Sequence, residues 1–378
     1  MRALVVSLST YSSLHNRGKL ESLSRRVDHL TAVSGDVRTI WGNTNTCALQ
    51  GEYELHVLPC HLRVGWALRT LKGLSEIVHR TAPEIVHVEA EPWQAVTAQA
   101  VMLAQRAGTP VGVQFAESGP QMQGASGRLR REAARQVLRR CDYAIGWAQA
   151  SSELASALAP HARILTMPGT GFEVDGDADI GRSTSEERAH WFGETPPGSH
   201  AIGFVARLAP EKGVSDFMAA CDALVNRLDI RIAIAGAGPL ENAVETWARE
   251  RTWVRTHGLV SRRDATRCAA SADVILIPSR TIGKRREQFG KVAIEAMAAG
   301  TPIVCYACGA LPEVVGPGGT VVPEGDVAAL VTATERYLRL PEQERQRISA
   351  LAVERAADFS NERLAERLVE LWAEISGR

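Results

Sequence analysis

The sequence predicts an α/β protein built from two doubly wound, parallel-sheet domains. Apolar, β-branched strand candidates alternate with helical stretches in the first half of the 378-residue chain, and the same alternation returns in the second half. Between the halves, Gly169 to His200 is rich in Gly, Asp, Ser and Pro and breaks the pattern. In the first half, strands are expected at Ala3–Leu8, His29–Val33, Glu54–Leu58, Ile85–Val88, Val111–Phe115, Tyr143–Trp147 and Arg163–Met167. Helical stretches at Leu68–His79, Gln94–Ala107 and Arg128–Cys141 separate several of them. In the second half, strands are expected at Ala201–Val205, Ile230–Ala235, Val254–His257, Asp273–Ile277, Ile303–Cys305 and Thr320–Val322, with helices at Val214–Val225, Leu240–Arg249, Arg262–Ser271 and Val327–Arg339. The domains are therefore expected at 1–172 and 201–357, with a linker at 173–200. Two such sheets facing each other would form a cleft at the carboxyl ends of their strands, where a ligand would sit.

Composition narrows the class. With 43 basic and 43 acidic residues the formal net charge is zero, which argues against a nucleic-acid partner. Seven cysteines leave one odd and form no paired framework, so a reducing, cytoplasmic compartment is the simplest expectation. The apolar run Ala3–Leu8 is too short for a signal peptide and reads as a first strand. No stretch approaches the length needed to cross a bilayer.

The most informative segment is Glu287-Gln-Phe-Gly-Lys-Val-Ala-Ile-Glu295. It follows the apolar run Asp273–Ser279 and opens a helix that Gly300 and Pro302 close, so Gly290 marks a helix start at the carboxyl end of a strand. The first turn of a helix carries amides without intrahelical partners and roughly half a positive charge, which suits phosphate. Glu287 lies just before the helix, and Glu295 lies roughly 7 Å along its axis. Carboxylates on both sides of a phosphate site suit a molecule with hydroxyls on both sides of a diphosphate. A solvated Glu in a loop and a partly buried Glu in a helix would give the same spacing.

Several motifs in order resemble one family. Gly203-Phe-Val-Ala-Arg207 is followed by Glu211-Lys-Gly213, Ile234-Ala-Gly236-Ala-Gly238-Pro239, His257-Gly258, Pro278-Ser279, the Glu287–Glu295 segment and Glu313 in Leu-Pro-Glu-Val-Val. Together they are similar to the retaining nucleotide-sugar glycosyltransferases of family 4, which have the GT-B fold of two facing Rossmann-like domains and an interdomain cleft. The likeness covers nearly all of residues 200–378 and is looser in the first half, through Pro83–Trp93 and Gln114–Ser118.

The resemblance implies an acceptor-binding domain first and a nucleotide-sugar domain second, with the last segment, 358–378, crossing back to the first domain. It implies that Arg207 and Lys212 grip the diphosphate and stabilise its departure. Glu287 would hold the donor sugar. Phe289 and Gly290 would offer backbone amides to sugar and phosphate, with Lys291 beside them. Glu295 would take the ribose hydroxyls, and the backbone from Gly258 to Val260 would face the base. A sugar would pass with retention from a UDP- or GDP-type donor to an acceptor hydroxyl by front-face substitution, with no metal or other cofactor expected. The acceptor class stays open among carbohydrates, lipid-linked molecules and small molecules. A nucleotide-sugar 2-epimerase of the same architecture and an inactive nucleotide-sugar-binding protein are the alternatives.

The first half departs from the family. Where many relatives carry a histidine at a strand end, this chain has Glu117, which either hydrogen-bonds a sugar hydroxyl or caps the following loop. The glycine-rich loop after the first strand is replaced by Ser9–Lys19, whose His15 and Lys19 are candidate contacts to the donor phosphate or the acceptor. His87 and Glu89 end another strand and suit either an acceptor contact or a structural role. Arg128, Arg131, Arg135 and Arg139 form one helical stripe, either a solvated face or a peripheral contact with an anionic membrane. Asp175, Asp177 and Asp179 imitate an acidic metal motif but fall in the expected linker. Cys305 and Cys308 have zinc-like spacing without a second pair, and Gly236-Ala-Gly238-Pro-Leu-Glu241 ends in Glu where a dinucleotide fingerprint needs Gly or Ala.

Overall fold

Runs of Val, Ile and Ala, apolar on both faces, can be buried only inside a sheet covered on both sides, and the chain forms two such sheets. The structure, a computed structural model, describes residues 1–8, 17–36, 52–61, 66–169, 171–172 and 183–377. It divides into unit 1, Met1–Gly171 with Asn361–Arg378, and unit 2, Phe172–Ser360.

In unit 1 the strands are β1 (Arg2–Ser7), β2 (His29–Gly35), β3 (Glu54–Leu58), a short antiparallel pair β4 (Cys60–His61) and β5 (Thr70–Leu71), then β6 (Ile85–Glu89), β7 (Val111–Phe115), β8 (Tyr143–Gly146) and β9 (Arg163–Thr166). Seven of them make a wholly parallel sheet in the order β3-β2-β1-β6-β7-β8-β9. The helices of unit 1 are α1 (Gly18–Ser24), α2 (Leu74–Thr81), α3 (Ala95–Arg106), α4 (Gly124–Leu138) and α5 (Gln149–Leu158). One core cluster joins Val6, Val86, Val88 and Val113 to Ile77, Val101, Leu138 and Leu154 of α2 to α5. The other joins Val5, Ile85 and Ile145 to Leu20 and Leu23 of α1 and to Leu364, Leu368 and Trp372 of the final helix. Alternating residues of one strand, Ile85 and Val86, thus serve opposite faces. The segment expected as a helix from Leu68 begins only at Leu74, because Gly73 takes a left-handed φ of 88° and β5 precedes it.

Unit 1 also encloses a polar network. Lys19, expected in a loop, lies on α1 and pairs with Glu89, the two side chains being 2 % and 5 % exposed. The Lys19 ammonium also donates to the carbonyl of Gly169 at 2.6 Å. His87 reaches Gln114 Oε1 at 3.2 Å and the Tyr143 hydroxyl at 3.0 Å, and Trp372 Nε1 donates to that hydroxyl at 2.8 Å. Lys19, His87 and Glu89 are thereby held in a buried network: β6 is an interior strand, and helices cover both of its faces. Burial works against the Glu89 charge, but Lys19 and then His87 outweigh it and hold its pKa down to about 2. Burial lowers the pKa of His87, keeping its imidazole neutral.

Unit 2 contains α6 (Ser185–Phe192), β10 (His200–Val205), α7 (Val214–Leu224), β11 (Ile230–Ala235), α8 (Glu241–Arg249), β12 (Val254–Thr256), α9 (Arg262–Ala270), β13 (Val274–Ile277), α10 (Lys291–Ala298), β14 (Ile303–Tyr306), α11 (Leu311–Val315), β15 (Gly319–Val322), α12 (Val327–Leu338) and α13 (Glu342–Ala357). Its six strands are all parallel, in the order β12-β11-β10-β13-β14-β15. The expected linker differs from what forms. Residues 183–200 count with unit 2 and carry α6, which starts at a capping box between Thr184 and Glu187 and buries Trp191 and Phe192. The chain enters and leaves unit 2 side by side, with Phe172 N–H donating to the Phe359 carbonyl at 3.3 Å. Asn361–Ser376 then forms α14 in unit 1, where Glu362 accepts from Ser22 at 2.8 Å and pairs with Arg25 and Arg26. Asp175, Asp177, Asp179 and His15 lie outside the described residues.

Replacing Glu89 by Gln leaves the Lys19 ammonium buried without its counter-charge and should cost roughly 3 kcal/mol or more of stability in denaturant titrations at pH 7. Because the folded state holds Glu89 below its ordinary carboxylate value, its contribution is complete above that range. It is lost as pH falls from about 4.5 toward 2, so the wild type should converge on the variant there.

Candidate functional site

In unit 2 the chain runs from β10 outward to β11 and β12, then returns to the other side of β10 as β13. The carboxyl ends of β10 and β13 therefore diverge at a topological switch point, the place where open α/β sheets bind ligands. After β10 come Arg207, a 3-10 turn at Pro210–Lys212, Gly213 and α7. After β13 come Pro278, Ser279, a loop to Glu287, Phe289, Gly290 and α10. Gly290 is the N-cap of α10, with a left-handed φ of 78°, as the sequence placed it.

The two loops meet at Glu287. Lys212 Nζ donates to Glu287 Oε2 at 2.6 Å and Ser279 Oγ donates to the same oxygen at 3.2 Å. The side chains of Lys212 and Glu287 are 29 % and 13 % exposed, so the pair is reachable from solvent. Glu287 is fixed from behind by the turn after β14, where Ala310 N–H donates to its carbonyl at 2.9 Å. A side chain at Gly309 would place its Cβ 1.9 Å from that carbonyl oxygen, and its φ of +57° also requires glycine. A Cβ at Gly213 would lie 1.7 Å from the Pro278 carbonyl oxygen, so the two strand-end loops touch backbone to backbone.

Cations and carboxylates surround this pair. Arg207 is ion-paired with Glu211, and Arg285 Nη1 reaches the same carboxylate at 3.3 Å. Burial raises the pKa of Glu211, but its own backbone amide and the Arg207 and Arg285 charges prevail, leaving it lowered. Glu295, on α10, is 8 % exposed and accepts from Arg262 Nε at 2.9 Å. Lys291 is an exposed residue, yet desolvation around its ammonium and then Arg262 lower its pKa, with Glu295 opposing. Phe289 is buried against Phe359, ring centroids 6.0 Å apart. Gly258 adopts a φ of 61° after β12 and accepts from Gly236 N–H at 2.7 Å, with Val260 half-buried beyond it.

The structure thus gathers Arg207, Lys212, Glu287, Gly290, Lys291 and Glu295 at one edge of one sheet. Glu211, Ser279, Arg262 and Arg285 were not singled out as site residues from the sequence. Ser279 and Glu211 sit inside the quoted motifs, and Arg262 follows the N-cap Ser261, so their positions were readable although their partners were not. In unit 1, Glu117 caps its loop: Oε1 accepts from Gly119 N–H at 2.7 Å and Gln121 N–H at 3.3 Å. Glu91 accepts from the N–H of Glu117 at 3.1 Å, and burial followed by the Glu117 charge pushes its pKa up to about 7. Among the described residues no group of three or more His, Cys, Asp or Glu is arranged to hold a metal ion, and no helix is long and apolar enough to cross a membrane. Cys305 and Cys308 are buried free thiols.

A helix start, two cations and two acids at a switch point can hold a diphosphate between hydroxyl-bearing groups. The fold that carries this site is GT-B. Anabaena HepE in complex with UDP superposes with a TM-score of 0.75 at 14 % identity, covering 99 % of this chain and 100 % of that one. Sucrose-phosphate synthase from Thermosynechococcus elongatus does so with a TM-score of 0.71 at 18 % identity, covering all of both chains. The family model "Glycosyl transferases group 1" matches residues 199–339, within unit 2. The 2-deoxystreptamine N-acetyl-D-glucosaminyltransferase of Streptomyces fradiae is 27 % identical over 84 % of this chain and 77 % of its own length. The GDP-mannose-dependent alpha-(1-6)-phosphatidylinositol monomannoside mannosyltransferase of Mycolicibacterium smegmatis is 33 % identical over 50 % of this chain, which spans about half (51 %) of that relative. The chain is an enzyme of the glycosyltransferase class.

Replacing Gly309 by Ala should displace the Glu287 backbone. A loss of roughly 2 kcal/mol in unfolding free energy is expected, with weakened binding of nucleoside diphosphate in calorimetry.

Proposed function

We propose that this enzyme is a retaining glycosyltransferase of family 4 that moves a sugar from a UDP- or GDP-type donor to an acceptor hydroxyl by front-face substitution. The observation that carries the proposal is the Lys212–Glu287–Ser279 contact beside the N-terminus of α10. A diphosphate seated on the α10 amides would face Lys212 and Arg207, which stabilise the charge that grows as the sugar–oxygen bond breaks. Glu287 then holds hydroxyls of the donor sugar from one side, and Glu295, released from Arg262, takes the ribose hydroxyls on the other. The acceptor oxygen forms its bond to the anomeric carbon from the face the diphosphate leaves, and its proton passes to the departing phosphate. Catalysis on this reading comes from positioning and charge rather than from a tuned base.

Unit 2 serves as the nucleotide-sugar domain and unit 1 as the acceptor domain. The relative matching over most of both chains is named for 2-deoxystreptamine, which favours a small molecule among the three acceptor classes. No metal or other cofactor takes part in the proposed reaction.

A thermal-shift panel of UDP, GDP, ADP and dTDP with their common sugar conjugates tests this reading. One nucleotide family should raise the melting temperature of the wild type, and Glu295→Ala should reduce that rise. Lys212→Ala should lower kcat by ~10²–10³ in the transfer assay that follows. A folded wild type that responds to none of these nucleotides would overturn the proposal.

A further inference from the structure

The segment between Ser279 and Glu287, Arg280-Thr-Ile-Gly-Lys-Arg-Arg286, is a tight hairpin whose cationic side chains have no place in the motifs quoted above. Ile282 and Arg285 pair through their backbones in both directions, at 2.9 and 3.0 Å, around Gly283 with φ of +61°. The base of the hairpin is pinned. Arg280 N–H donates to the Glu211 carbonyl at 2.9 Å, and the Arg280 guanidinium lies 3.4 Å from Asp216. Thr281 donates to the Glu324 carboxylate through its N–H at 2.6 Å and its hydroxyl at 3.0 Å. This anchoring aims Arg285 back over the sheet edge, where Nη1 meets Glu211 Oε1 at 3.3 Å. Arg207 donates to that same oxygen.

Two guanidiniums therefore converge on one carboxylate oxygen beside the Lys212–Glu287 pair. A single carboxylate oxygen is a poor match for two planar forks, whereas a diphosphate offers several anionic oxygens and more charge. The Arg285 side chain is 73 % exposed and is held by no enclosing wall, so exchanging one anion for another needs no repacking. We propose that Arg285 is a third cation for the diphosphate, acting with Arg207 and Lys212, and that Glu211 occupies its place until the nucleotide arrives. The inference rests on the donor site proposed above and adds to it a residue outside the family motif. In the reaction, the electron pair of the breaking sugar–oxygen bond stays on the β-phosphate oxygen. Arg285 donates hydrogen bonds to that phosphate and transfers no proton.

Calorimetric titration of UDP, GDP and uridine into the wild type, Arg285→Ala, Arg285→Lys and Lys284→Ala tests the inference, with melting curves confirming that each variant is folded. Arg285→Ala should weaken the nucleoside diphosphate that the wild type binds by about tenfold or more. It should leave any binding of the bare nucleoside unchanged and lower kcat/KM for transfer at least as much. Arg285→Lys should recover part of the loss, and Lys284→Ala, on the same hairpin, should show little of it. Equal nucleoside diphosphate affinity in the wild type and folded Arg285→Ala would overturn the role of Arg285 while leaving the donor site standing. Failure of the folded wild type to bind any nucleoside diphosphate would overturn both.

Discussion

The contact on which the candidate site depends is the one between Lys212 and Glu287, because it ties together two loops that the sheet itself drives apart. Strands β10 and β13 are neighbours, yet their following segments lead to helices on different paths, and nothing in the ladder fixes the distance between the loops. The ion pair, with Ser279 on the same oxygen, sets that distance. Close backbone approaches at Gly213 and Gly309 keep it set. Neutralised by each other, a cation and an anion can stand half open to solvent at a helix start without either being stranded.

Unit 1 solves the same topological problem in the opposite way. There a lysine on the helix after the first strand meets a glutamate that ends the strand across the switch point, Lys19 with Glu89, whereas Glu287 lies in the loop beyond its strand. That pair is buried, and its remaining polar partners are the Gly169 carbonyl, Gln114 and His87. One pair is closed and internal, and the other is left where a ligand can exchange with it. The same lysine–glutamate chemistry is thus buried in one half and partly exposed in the other.

Much of this was legible in the sequence, for identifiable reasons. Parallel strands buried on both faces announce themselves as β-branched runs, so β6, β7, β11 and β13 were found nearly to the residue. Elements with mixed composition were not: α1, α5, α6 and α13 are short or polar, and tertiary packing holds them, with a side-chain cap only at α6 among the four. The capping box at Thr184 was the one local sign that the supposed linker held a helix. At the site, chain order placed Glu287, Gly290 and Glu295 because they lie before, at and beyond the start of one helix. Arg262 against Glu295, and Arg285 against Glu211, join residues far apart in sequence, and no periodicity reports such partners. Lys19, His87 and Glu89 show the reverse limit, since a polar residue at a strand end reads the same whether a helix covers it or not.

The return of α14 to unit 1 bears on how the protein is made. Trp372 donates to the Tyr143 hydroxyl across 229 positions, and all of unit 2 is synthesised between those two residues. Unit 2 is a continuous stretch that can condense as it leaves the ribosome, whereas unit 1 must wait with one face of its sheet uncovered until α14 emerges. The half translated first is therefore the half completed last, and during that interval its exposed apolar face is the part of the nascent chain most in need of a chaperone.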